Sequence, residues 1–100
     1  MGIELKRKPT VEEVEGICVA AEESARRHVL SKVPWKTVSD LDVVVEAEGD
    51  KPLTITIQVS VELSGDSGDL QALVTEATRV AFSAAEAKAR ELDLCFDIQN

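Results

Sequence analysis

Leu53-Thr-Ile-Thr-Ile-Gln-Val-Ser-Val-Glu-Leu63 places an apolar side chain at every odd position and a polar one at every even position. Successive side chains of a strand point to opposite faces, so this run predicts a β-strand with one buried and one wetted face. The preceding run keeps the same parity, with Leu41, Val43, Val45 and Ala47 set against Asp42, Val44, Glu46 and Glu48. A second strand is therefore predicted over 38–48. Between the two lies Gly49-Asp-Lys-Pro52. A two-residue turn at Asp50-Lys51 would oppose apolar positions to polar ones, and a one-residue slip inverts a face. The connection must then be an odd-length loop or carry a bulge. Ala47 opposite Leu53 is the expected register.

A one-sided pair of strands needs a cover, and the flanking segments read as helices. Upstream, Thr10 is placed as an N-cap, and Glu13 at the third helical position completes a capping box. Val11, Val14, Cys18, Ala21, Ala25 and Val29 then recur at helical spacing, with Ile17 at the border of the stripe. Glu22 with Arg26 and Glu23 with Arg27 are i,i+4 pairs in the favourable orientation. This first helix is predicted over 11–31, because Pro34 disfavours helical geometry in the residue before it. Downstream, Ser64-Gly-Asp-Ser-Gly-Asp69 breaks the chain, and Asp66 or Ser67 can cap a second helix reaching Glu91. Its stripe is Leu70, Leu73, Val74, Ala77, Ala81 and Ala84, widened by Val80 and Ala85.

At the ends the pattern returns to period two. Leu92, Leu94, Phe96 and Ile98 alternate with Asp93, Cys95 and Asp97, predicting a third strand beside the hairpin. Ile3 and Leu5 are too few to secure a strand at the front, and Lys6-Arg7-Lys8 reads as a solvated end. The expected fold is a single α+β domain over 1–100. It is a two-layer open sandwich, with two helices on one face of an antiparallel sheet in the order α-β-β-α-β. Should residues 3–7 form a strand, the order becomes the ferredoxin-like βαββαβ. The element order, the acidic character and the size resemble a small archaeal family of uncharacterised proteins with an αββα core. That resemblance implies a cytoplasmic protein of unknown role and transfers no functional residue.

Composition narrows the function classes. Nineteen acidic against 11 basic residues give a net charge of −8, a field that repels nucleic acid and anionic lipid. Aromatic residues are 3% of the chain, too few for base-stacking platforms. No apolar run approaches the roughly 18 residues of a membrane span, and no signal-peptide apolar region opens the chain, so the expected compartment is the cytoplasm. Two cysteines, Cys18 and Cys95, are too few for a disulfide framework.

The chemistry-bearing residues do not assemble into a catalytic pattern. His28 is the single histidine. Cys18 lies on the apolar stripe and reads as a buried structural cysteine, whereas Cys95 falls on the polar parity of its strand and reads as exposed. Gly65-Asp-Ser-Gly68 precedes a helix but lacks a lysine for phosphate, and its aspartates would repel an anion; capping accounts for it better. No metal and no cofactor is expected, and no enzymatic activity.

Two surfaces remain. The polar parity of the hairpin presents Asp42, Val44 and Glu46 beside Thr56 and Gln58, flanked by Asp40, Glu48 and Glu62. Such a face is commonly just a solvated side of an antiparallel sheet. Trp35, next to Pro34 in a connection, is expected to be buried over the end of the sandwich; the competing reading makes it an anchor for a partner. The leading expectation is a non-catalytic interaction module that self-associates as a homodimer or joins a protein complex, with Val44 and the 53–63 edge as contacts. The alternative is a small RNA- or ligand-binding protein using Arg26, Arg27, Lys32 and Lys36 around the end of the first helix.

Overall fold

The computed structural model describes residues 2–49, 53–64 and 70–94. Within them the chain forms β1 (Gly2–Ile3), α1 (Val11–Lys32), a 3-10 turn (Trp35–Thr37), β2 (Val38–Glu48), β3 (Leu53–Leu63) and α2 (Leu70–Glu91). The sheet order is β1-β3-β2, antiparallel at both junctions. The α+β class is as expected, with both helices on one face of an antiparallel sheet. Its third strand comes from the front of the chain: Gly2 pairs with Thr54 and Ile3 with Leu53. The front strand is thus Gly2–Ile3, and residues 4–7 are not part of it. The expected strand at the other end does not begin at Leu92, and its remainder from residue 95 lies outside the described residues, as does the turn at 50–52 and the predicted cap at 66–67.

The hairpin register preserves parity but not the expected partners. Ala47 faces Ile55 and Glu48 faces Thr54, so the turn sits one residue further along than the Ala47–Leu53 pairing would put it. Parity alone cannot separate these two registers, since a shift of two residues leaves every side chain on its own face. Gly49 has φ of 80°, a left-handed conformation that glycine adopts without penalty and that turns the chain out of β2. At the other end of β2 the register shifts between Val38 and Asp40, a bulge at Ser39.

Each helix is covered on two sides. The capping box forms: Glu13 N–H donates to Thr10 Oγ1 at 3.1 Å, and Thr10 N–H donates to Glu13 Oε1 at 2.9 Å. α1 buries Ile17, Ala21, Ala25 and Val29, and α2 buries Leu73, Ala77, Ala81, Ala85 and Ala89. Both sets advance in steps of four, the ridge direction along which one helix lies against another. Ile17 is therefore at the centre of the buried stripe, and Val11 is 72% exposed. The sequence pattern placed the stripe too far round because it considered only the sheet, whereas α1 also packs against α2. The helices run antiparallel: a Cβ on Gly16 would lie 3.6 Å from Lys88 Cε, and His28 faces Glu76. Alanines at 21, 25, 77, 81 and 85, all at 0% exposure, leave no side-chain bulk between them. α1 lies over β2 and α2 over β3.

The basic residues after β1 are not a free end. Arg7 makes a two-pronged contact with Glu13, at 3.0 and 2.8 Å, and donates to the Leu92 carbonyl at 3.0 Å. Lys6 pairs with Asp93 at 2.6 Å, and its N–H donates to the Leu94 carbonyl at 2.7 Å. These contacts clasp the start of α1 to the end of α2. That end is a Schellman motif: Asp93 has φ of 60°, its N–H donates to Arg90, and the Leu94 N–H donates to Ala89.

Candidate functional site

With the helices covering one side of the sheet, the other side is open. Asp42, Val44, Glu46, Thr56 and Gln58 are all exposed on it. The register assembles them into one patch: Val44 lies opposite Gln58, Glu46 opposite Thr56, and Asp42 opposite Ser60. Asp40 faces Glu62, a like-charged pair directly across the ladder. Val44, at 38% exposure, is the one apolar side chain among these positions.

The sheet order also decides which edge is free. β3, whose 53–63 run is the expected contact edge, lies between the other two strands; β2 holds it along its length, and β1 pairs with it only at Leu53 and Thr54. β2 is an outer strand over its whole length, and no strand pairs with its outer side among the described residues.

Trp35 stands at the head of β2. It is 70% exposed, contrary to the expectation of burial. Its backbone is nonetheless fixed. The Thr37 N–H and hydroxyl both donate to the Pro34 carbonyl, at 2.9 and 2.7 Å. The Ser64 N–H donates to the Thr37 carbonyl at 2.8 Å and ties the turn to the end of β3. Lys36 Nζ lies 5.9 Å from the indole centroid, within cation–π range. The short turn between helix and strand leaves the indole exposed rather than buried over the end of the sandwich. Trp35 does not join the Val44 patch, which begins at Asp42, about 13 Å along the strand from Val38 at the usual rise per residue.

The basic residues do not make one surface. Arg26 is held by Glu22 at 3.2 Å, while no ion pair joins Glu23 to Arg27 among the described residues. At about 100° per residue, Arg26, Arg27 and Lys32 point in three directions around α1, and Lys36 lies over Trp35.

Groups able to do covalent chemistry are dispersed. His28 Nε2 is buried without a hydrogen-bond partner among the described residues, 3.5 Å from Glu76 Oε1 in the helix seam. Cys18 is half-buried at the edge of the stripe, and burial pushes its thiol pKa up, which disfavours the nucleophilic thiolate. Cys95 lies outside the described residues. No group of three or more His, Cys, Asp or Glu side chains is placed to hold a metal ion among the described residues. A shallow, mostly apolar groove of about 350 Å³ on α2 is lined by Val74, Thr75, Thr78, Arg79, Phe82 and Ser83. Among the described residues, no helix is long and apolar enough to cross a membrane.

The chain is an open-faced two-layer α+β protein whose polar groups are set out along a sheet rather than gathered in a cleft. The family model for a protein of unknown function, DUF3194, matches residues 6–88, and the chain belongs to that family. Its fold is similar to the crystal structure of a protein from Thermococcus onnurineus NA1, at 25% identity and a TM-score of 0.72, covering 92% of this chain and 89% of that one. It is similar also to the solution structure of the hypothetical protein mth677 from Methanothermobacter thermautotrophicus, at 24% identity and a TM-score of 0.71, covering 85% and 93%. No curated protein matches the chain. The resemblance to a small archaeal family of uncharacterised proteins is thereby borne out.

Proposed function

We propose that this chain is a cytoplasmic, non-catalytic interaction module that presents the head and open side of β2 to another polypeptide, a second copy or a member of a complex. The observation that carries this reading is Trp35, 70% exposed on a turn pinned to both strands. A large, rigidly mounted indole loses little conformational freedom on docking, which is why tryptophan dominates so many interfaces. The unpaired edge of β2, 11 residues long against a usual five or six, supports the same reading. The dispersal of His28 and Cys18 offers no support for a catalytic one.

Trp35 is the sole tryptophan and the chain has no tyrosine, so its fluorescence reports on this position alone. Light scattering over a dilution series should give a mass above the monomer's, or immobilised protein should retain a cellular protein. Either should disappear with Trp35→Ala, accompanied by a blue shift of the wild-type emission on association. Because the side chain is exposed, the substitution should change stability by less than about 0.5 kcal/mol. A monomeric mass at every concentration, with identical retention by wild type and variant, would overturn the proposal.

A further inference from the structure

The open face and the open edge meet on β2, and together they specify what can dock there. A strand added to an edge places its alternate side chains directly opposite those of the edge strand, with Cβ atoms about 4.5–5.5 Å apart. Beyond the bulge at Ser39, the open-face residues of β2 are Asp40, Asp42, Val44, Glu46 and Glu48, all exposed. None of the four carboxylates takes part in an ion pair among the described residues. An incoming strand therefore meets two negative charges, an apolar side chain, and two more negative charges.

A second copy of the chain fits this edge poorly. Two β2 strands paired antiparallel about Val44 would set Asp40 against Glu48 and Asp42 against Glu46, on both halves of the pairing. Shifting by two residues leaves a carboxylate pair, Asp42 against Glu48 or Asp40 against Glu46, and sets Val44 against a carboxylate as well. Like charges directly opposite are destabilising, and charged edges are a general means of preventing self-pairing. The same row of charges attracts a strand of opposite sign, so one device excludes the copy and selects the partner.

We propose that the partner is a basic extended segment of another protein, added as a further strand along the outer edge of β2. Its alternate residues are Lys or Arg over the four carboxylates, with an apolar residue over Val44. The pattern is basic-x-basic-x-apolar-x-basic-x-basic, and its symmetry lets it read in either strand direction. The intervening side chains turn toward the helix layer. Backbone hydrogen bonds to β2 supply the register, and the charges supply selectivity and salt dependence. This deepens the interaction-module reading and rests on it.

The test uses the full chain and the blocked peptide Lys-Thr-Arg-Thr-Val-Thr-Arg-Thr-Lys, with binding followed by calorimetry. Two control peptides accompany it. One has the same composition with its basic residues contiguous, and the other is the patterned peptide N-methylated at alternate residues. The patterned peptide should bind at least about tenfold tighter than either control, and weaken as salt rises. Asp42→Lys with Glu46→Lys, two exposed positions, should weaken it by a further factor of about ten or more. Equal binding of the three peptides, survival of binding in the double variant, or no binding at all would overturn the proposal. The N-methylated control reads the strand geometry without altering the protein, so a folding defect in the double variant leaves a decisive measurement. Light scattering on the same samples separates the two levels. A multimer lost with Trp35→Ala but indifferent to the peptide would retain the interaction module and remove the basic strand.

Discussion

On the helix side of the β2–β3 hairpin, Val43, Leu53, Ile55 and Val61 are each no more than 9% exposed, whereas across the pleat even the apolar Val44 is 38% exposed. The same backbone carries both rows, with the same strand geometry and the same neighbours along the chain. What differs is the cover. One parity of the hairpin is committed to folding, because α1 and α2 bury Val43, Leu53, Ile55 and Val61 and partly cover the rest of that row. The other contributes little to stability and is free to vary for solubility or recognition. In such a fold, substitutions on the open face report on docking with little interference from unfolding.

The largest expected effect follows from that contrast. Ile55→Ala removes a side chain at 1% exposure and should cost about 2–5 kcal/mol, the lost transfer energy plus the cavity left behind. Gln58→Ala, three residues along the same strand but on the open face, should change stability by less than about 0.5 kcal/mol. Urea denaturation of the pair measures both. If Gln58→Ala costs as much as Ile55→Ala, the open face is covered in solution, and the contrast between the faces fails.

The cover itself can be loosened from its end. Arg7, first, and then the Thr10 N–H hold the Glu13 carboxyl down, from the usual 4.5 to about 2. Lys6 likewise lowers Asp93. A carboxylate whose pKa is depressed by folding contributes stability that is complete above its unfolded value and lost as pH falls through the folded one. The stability advantage of wild type over Glu13→Gln should thus be full at neutral pH and close between about 4.5 and 2. Urea midpoints for both proteins across the acid range would show it. A difference that stays constant with pH would mean that the clasp is not formed in solution. Thr10→Ala, which removes the other half of the capping box, should cost about 1 kcal/mol.

Much of this was legible in the sequence, and the misses have identifiable causes. Alternation is legible over 53–63 without exception and over 41–48 with Val44 as the exception, because a half-buried strand keeps its apolar residues to one parity. It could not choose between Ala47–Leu53 and Ala47–Ile55 pairing, since both keep the faces. The capping box was local and was read correctly, whereas the clasp joins Lys6 and Arg7 to residues more than 80 positions away and has no sequence signal. The error over Ile17 and Cys18 came from treating α1 as a helix with one neighbour. The exposure of Trp35 is not legible in the sequence, because the direction of a side chain in a three-residue turn depends on how helix and strand are joined. The open-face residues were all identified from parity. That a strand lies beyond the start of β3 depends on β1, whose two residues are too short to read.

The smallest expected effect probes the open face alone. Asp40 and Glu62 are directly opposite on adjacent strands, where like charges are unfavourable and opposite charges favourable by roughly 0.2–1 kcal/mol. Glu62→Lys converts the pair to an attractive one on an exposed surface and should raise the urea midpoint slightly. On the helix side, a charge introduced at Val61 would instead be buried beside the core and would destabilise strongly. Adjacent residues of one strand should therefore respond to lysine with opposite sign. Were Glu62→Lys to destabilise the protein, its carboxylate would be making a favourable contact that the hairpin alone does not supply. A partner on the open face is the natural source of such a contact, and the loss should then grow with protein concentration.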